Sequence, residues 1–516
     1  MDSGNPAKRR LWLLAAVLIP AILLGAVKLC FTPSGYESAE DAFWHVAASR
    51  RSLKKMTAKT FPITLSVWRD HFADKELGFH LLEKLCIQTG KLFGISPEPP
   101  FTGILFFFLL LIFTAFAAAG VALGISPPRI FYAAMLCAFF LPNFTYRVLM
   151  LRPHIFSIAL MMTAFAILAH GPHRKKVCLA IFGFSFLYAW SYSTPHVICV
   201  STFLFCLGWF PKERWKAFAA LPCSVLGIFF GLLIHPQSPN TLRIWKIQAL
   251  DALLAPISGS VTIRLPFATE LEAPKFAWIL LALPALISVY FLLMAYIRAI
   301  EKDGLKQIPP NLNSLVLSAF FWTCAMCTIS IRPVEYAIPS LCLAGMMMLP
   351  YAKEHQLFSV TEHEKGVWIF LVSLLLICGG FTVNNVCQNL MKWSKPAPVK
   401  MAEYLRKNLP PGTRIANPVW SDFPYLFYAA PEYEYTWALD PMFGYAYAPE
   451  KISVISKLTL NRVRREPSTL LSKATGAEYA VVLFRDYNQL GRYFEQTCGW
   501  KVLYLGSDGW VFKLKN

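Results

Sequence analysis

Charge is scarce in this chain. Asp, Glu, Lys and Arg supply 15% of its 516 residues, against roughly 25% in soluble globular domains. A chain of this length and composition cannot cover itself with solvated side chains, which excludes an ordinary soluble fold. Acid is scarcer than base: 30 Asp and Glu stand against 49 Lys and Arg, a net charge of +19. No basic tract is interleaved with aromatics in a polar stretch, so the excess is not a nucleic-acid surface and no nucleic-acid partner is expected. It belongs instead in loops that orient membrane segments. Paired metal-binding cysteines are missing as well. Most of the 13 cysteines, among them Cys137, Cys178, Cys206, Cys223 and Cys378, sit in apolar runs as small hydrophobes. Cys324 and Cys327 form a lone CxxC with no second pair to complete a zinc site. Internal repeats are absent too, and ionisable residues in mid-span are few. Both absences weigh against the alternative class, a transporter or lipid/glycan flippase without covalent chemistry.

What the chain has in plenty is apolar length, with 56% hydrophobic residues. A basic start, Lys8-Arg9-Arg10, precedes an apolar run over 11–31 with no small-x-small cleavage site behind it. This reads as an uncleaved first span that begins in the cytoplasm. Further runs lie at 101–123, 130–144, 154–170, 177–191, 197–210, 217–234, 276–298, 313–330, 336–350 and 367–385, which makes eleven spans. Counting alternate sides, the cytoplasmic connections hold Arg129, Arg174–Lys176, Lys212, Arg214, Lys216, Arg298, Lys302, Lys306, Lys353 and Lys365. The short outer ones hold only Arg147, Arg152 and Arg332, as the positive-inside rule requires. An odd number of spans places the C-terminus outside. Residues 1–391 then form the transmembrane domain, with a long outer loop over 32–100. Residues 392–516 alternate helix-like and strand-like stretches and read as a small extracytoplasmic α/β domain. Within it Gly506-Ser507-Asp508-Gly509 is a hairpin turn signal.

The same topology puts the polar groups at span ends on the outer face. Foremost is the opening of the first loop, Tyr36–His45, where Glu40 and Asp41 stand side by side. Adjacent carboxylates at a membrane face are costly to keep ionised and call for a cation, a metal or a substrate proton. Asp41 and His45 are four residues apart and share a face on a helix, while Phe43 and Trp44 suit the headgroup zone. Further on, 68–94 reads as one interfacial amphipathic helix. Its apolar side is Leu77, Leu81, Leu82, Leu85 and Cys86, its polar side Lys75, Glu76, Glu83 and Lys84, and it also carries His80. Arg152 with His154, His196, His235, and Arg332 with Glu335 complete the outer set.

A single span, a long outer loop opening with an acidic pair and an aromatic-His, and then an amphipathic helix resemble the GT-C superfamily. These are polytopic glycosyltransferases using polyprenyl-phosphate sugars, such as protein O-mannosyltransferases and lipid A aminoarabinose transferases. The resemblance implies a polytopic α-helical membrane protein with about eleven transmembrane helices and a small C-terminal α/β domain, sited in a bacterial inner membrane. It implies transfer of a sugar from a polyprenyl-phosphate donor to a glycan, lipid or protein acceptor at the outer face. Asp41 or Glu40 is then the general base. His45, His80, Arg152, His154, His196, Arg332 and Glu335 are then substrate-binding. Protein O-mannosyltransferases have Asp-Glu where this chain has Glu40-Asp41, the reverse order. Oligosaccharyltransferases use a metal with a second-loop acidic pair and a WWD-type motif. Here 145–154 has no carboxylate and no WWD occurs, so single-sugar transfer is favoured and a divalent metal, though open, is not.

Overall fold

The computed structural model describes residues 5–94, 97–251, 274–357, 364–459, 467–483, 488–496 and 500–514. They fall into two compact units, each built from three stretches of chain. One comprises Met1–Thr32, Phe101–Gly231 and Ala268–Trp393; the other comprises Pro33–Pro100, Leu232–Phe267 and Ser394–Asn516.

The first unit is helical. Its opening helix α1 (Pro6–Phe31) begins where Asn5 accepts the Ala7 N–H at 2.9 Å and Pro6 presets the first turn, and it ends just before Pro33. The strand β1 (Tyr36–Glu37) and helices α2 (Glu40–Arg50), α3 (Leu53–Met56), α4 (Trp68–His71) and α5 (Leu77–Leu92) follow in the other unit. The helical unit then resumes with α6 (Thr102–Ala122), α7 (Pro127–Phe139), α8 (Pro142–Val148), α9 (Pro153–Leu168), α10 (Lys175–Ser191), α11 (Val197–Glu213) and α12 (Ala220–Ile234). It ends with longer helices over Leu283–Asp303, Pro310–Thr328, Val334–Glu354 and Glu364–Trp393. Helices 197–213 and 310–328 come so close that a Cβ on Gly208 would stand 2.3 Å from the Ser314 backbone nitrogen. Only a residue without a side chain allows that approach, as is common where apolar helices pack.

Among the described residues five helices are long and apolar enough to cross a membrane: Pro6–Phe31, Thr102–Ala122, Val197–Ile234, Leu283–Asp303 and Val372–Trp393. A sixth arises if the pair α8 and α9, bent by 105°, counts as one span. The expectation of eleven is therefore met only in its coarser form, a membrane protein with several spans. The difference lies in length, since α7, α9 and α10 have 13, 16 and 17 residues, short of the ~20 a crossing needs. The sharp bend has a local cause. Leu141 and Arg152 are extended, as residues preceding proline are, and Pro142 and Pro153 each start a new helix.

The second unit holds the polar first loop and a five-stranded sheet of order β4-β3-β5-β7-β6. Its strands are β3 (Arg414–Ala416), β4 (Glu434–Tyr435), β5 (Tyr479–Leu483), β6 (Lys501–Gly506) and β7 (Gly509–Lys513). β3 runs parallel to β4 and β5, whereas β7 is antiparallel to β5 and β6. The turn read at 506–509 joins β6 to β7, with Gly506 opposite Gly509. β4 stops after two residues because the Asn417 side chain takes over: its Oδ1 accepts the Thr436 N–H at 2.8 Å and its Nδ2 donates to the Trp437 carbonyl at 3.0 Å. Short strand β2 (Lys395–Pro396) pairs antiparallel with β1, Glu37 opposite Lys395.

Two readings of the first loop are corrected. Residues 68–94 are not one helix but α4 and α5, separated by Phe72–Glu76. The break is set by Asp74, whose Oδ1 accepts the Glu76 N–H at 3.1 Å while its own N–H goes to Gln237 Oε1 at 2.8 Å. The buried stripe of α5 is Leu77, Phe79, His80, Glu83 and Ile87, and Leu85 is exposed. Phe43 and Trp44 are core residues, not headgroup anchors. Trp44 packs on Trp68, Phe61, Phe423 and Phe427, and Phe43 on Tyr425 and Tyr428.

Candidate functional site

α2 begins at the acidic pair. Its N-cap, Ala39, has no side chain to accept the first amides, so carboxylates in the opening turn are welcome to the helix dipole. Glu40 and Asp41 are both half-buried. Just before them Glu37 is fully buried, and its Oε1 accepts the Ser38 and Ala39 N–H groups at 2.7 and 3.2 Å. That residue was not singled out from the sequence, and it fixes the entry to the helix.

One turn beyond Asp41, the inner face of α2 meets α5 through a buried polar seam. His80 Nδ1 donates to Asp74 Oδ2 at 2.7 Å, and His80 Nε2 lies 2.8 Å from His45 Nδ1. Next along the seam the Ser49 hydroxyl donates to Glu83 Oε2. At the end Lys84 Nζ reaches the carbonyls of Ser49 and Arg51 at 3.2 and 2.9 Å, satisfying the C-terminus of α2. His45 and His80, expected at the site, are thus joined, and Asp74, Glu83 and Ser49 are added to them. Asp74 was not singled out from the sequence; the signal for it is that a buried His on a helix face needs a fixed partner.

The electrostatics of the seam follow from burial and neighbours. Burial alone would raise Asp74 and lower His80; their mutual charge and hydrogen bond reverse both, so Asp74 is held below and His80 above the usual value. At Glu83 burial outweighs its neighbours. Burial pushes its carboxyl up to about 7, against opposition from His80, Ser49 and Arg50. Its Oε1 has no hydrogen-bond partner among the described residues. An acid whose folded value lies above its unfolded 4.5 binds a proton more tightly when folded. Stability is therefore full below pH 4.5 and falls as pH rises towards 7. At about 1.4 kcal/mol per tenfold, the penalty above pH 7 is about 3 kcal/mol. Glu83→Gln is expected to remove it: the variant's melting temperature should exceed wild type at pH 8 and match it at pH 4.5. Equal melting at both pH values would contradict the assignment.

The helical unit has its own polar cluster. Arg147 Nε donates to Glu335 Oε1 at 2.8 Å, the Arg147 terminal nitrogen shares the same oxygen, and both side chains are buried. His154 Nε2 donates to the Arg147 carbonyl at 2.7 Å. Ser157 Oγ bonds Tyr336 Oη at 2.7 Å and also bonds the Tyr188 hydroxyl. Of the residues expected here, His154 and Glu335 are brought together by Arg147, which in the sequence stands out only as loop charge. Arg152 immediately precedes α9, His196 precedes α11, and Arg332 lies just ahead of helix 334–354.

No known family's sequence profile matches the chain, and no curated protein sequence does. Solved structures do. The oligosaccharyltransferase AglB from Archaeoglobus fulgidus, in complex with an inhibitory peptide and a dolichol-phosphate, superposes with a TM-score of 0.62 at 11% identity, covering 98% of this chain and 74% of AglB. ArnT from Cupriavidus metallidurans bound to undecaprenyl phosphate gives a TM-score of 0.55 at 13% identity, with 97% of each chain covered. The fold is that of the GT-C glycosyltransferases. The arabinofuranosyltransferase AftD from Mycobacteria shares it too, with a TM-score of 0.57 over 98% of this chain and 42% of AftD. GT-C architecture therefore runs through both units, even though sequence identity has fallen to 11–13%.

Proposed function

We propose that this GT-C chain is a glycosyltransferase moving a sugar from a polyprenyl-phosphate donor to an acceptor at the outer face of the membrane. The observation that carries the reading is the GT-C fold over nearly the whole chain, together with an acidic pair in the first turn of the helix that opens the loop after the first span. The reaction needs a base for the acceptor's proton as the anomeric carbon is attacked, and Asp41 supplies it, with Glu40 beside it. The leaving group is a lipid phosphate whose growing charge is met by Arg152 and Arg332, with His154 and His196 as further donors. Glu335 acts on substrate only through Arg147, whose guanidinium it holds. The N-terminus is cytoplasmic, the C-terminus outside, and the membrane a bacterial inner membrane in this reading.

A metal held by second-loop acids, as in oligosaccharyltransferases, does not fit this chain. Residues 145–154 present Arg147 and Arg152 and no carboxylate, so no step is assigned to an ion there. The test is transfer by the purified full chain from a radiolabelled polyprenyl-phosphate sugar in liposomes. A labelled covalent product is the expected result; lipid or sugar crossing the bilayer with no product would make the chain a flippase.

A further inference from the structure

We propose that His45, Glu76 and His80 form a binding site for a divalent first-row transition-metal ion, with Asp74 orienting His80. The proposal goes beyond glycosyl transfer and does not rest on it. The ligand atoms of the three residues lie within 4.8 Å of one another, and all three residues are buried. Glu76 and His80 are four apart at the start of α5 and share a face; His45 comes from α2.

The second layer fits an ion. His80 gives its Nδ1–H to Asp74 at 2.7 Å, leaving Nε2 turned to His45 as the donor atom. A carboxylate behind a ligating imidazole fixes the tautomer and strengthens the nitrogen as a ligand. Asp74 is itself pinned through its backbone N–H to Gln237 Oε1. The two ring nitrogens, 2.8 Å apart as a hydrogen-bonded pair, turn out of that contact to face one ion. Two imidazoles and one carboxylate leave positions for water and suit manganese, iron, cobalt, nickel or zinc better than soft copper(I).

A proton shared between the two histidines is the competing arrangement. Metal uptake separates the two: a proton-sharing pair takes up no ion, and Glu76, already in an ion pair with Lys75 at 3.7 Å, is the third ligand an ion would recruit. An ion here would tie α5 to the helix that carries Glu40 and Asp41.

The test uses the untagged full chain in detergent, stripped with chelator and titrated with cobalt(II) under visible spectroscopy and thermal melting. One equivalent should bind with the visible bands of an imidazole-ligated cobalt(II) ion, and the melting temperature should rise. Glu76→Gln and His80→Gln should each lose that equivalent. Asp74→Asn should weaken it ten- to a hundredfold. Asp303→Asn, which disturbs the separate His355–Asp303 pair, should bind as wild type does. The proposal is overturned if wild type takes up no cobalt, or if Glu76→Gln keeps the equivalent unchanged. Glu76→Gln, which preserves shape, decides the matter should His80→Gln fail to fold.

Discussion

Glu335→Ala protein is expected to leave the membrane with its melting temperature sharply lowered, at a cost of about 3–5 kcal/mol. The reason is the charge left behind. Arg147 is buried against Glu335, with a 2.8 Å bond from Nε and a second bond to the same oxygen. Removing the carboxylate strands a guanidinium in an apolar unit, and Arg147→Ala strands the carboxylate in the same way. Replacing both with apolar residues of similar volume, Arg147→Met with Glu335→Leu, removes the uncompensated charge. Most of the lost stability should then return. Thermal melts of the detergent-extracted single and double variants measure this directly. A double variant no more stable than either single one would show that the pair is not what holds these helices. It would also return Glu335 to the pool of groups able to meet substrate.

That pair illustrates where sequence reading stops. Apolar length announces a membrane protein, and regular patterns announce local elements. The helices Val399–Asn408, Pro467–Thr475 and Asn488–Gln496 fall in the segment that alternates helix-like and strand-like stretches. The turn at 506–509 is likewise legible from its glycines. Partnerships are not local. Arg147 and Glu335 are 188 residues apart, and Ser49 and Glu83 are 34 apart. Periodicity therefore sorted Glu83 onto a polar outer face by residue type alone. In the fold a hydroxyl from α2 takes it inside, and Leu85 is left exposed in exchange. Phe43 and Trp44 went astray for a similar reason. Aromatics beside a span suit a headgroup zone, yet partners from 423–428 bury them in the core. The acidic pair itself was legible, because two carboxylates opening a loop after a span are conspicuous in so uncharged a chain.

Asp41→Asn is expected to lower the rate of sugar transfer about 10²–10⁴-fold, the usual worth of a positioned general base. Stability should move little. Asp41 sits in the first turn of α2, half-buried, where loss of a helix-dipole contact costs about 0.3–1 kcal/mol. A large fall in kcat beside a nearly unchanged melting temperature therefore separates chemistry from folding. Glu40→Gln is the comparator. It points one residue round the helix from the face that Asp41 shares with His45, so its loss should be less than tenfold. Were Glu40→Gln to collapse activity while Asp41→Asn kept it, the base would be Glu40 and the reversed order of the pair would be functional. Full activity in both would remove the acidic pair from the chemistry, leaving the carboxylates as a helix start suited to its dipole. The rise in melting temperature on adding cobalt is independent of either variant's rate, since His45, Glu76 and His80 are intact in both. Metal binding and proton transfer along α2 can thus be scored separately on the same purified protein.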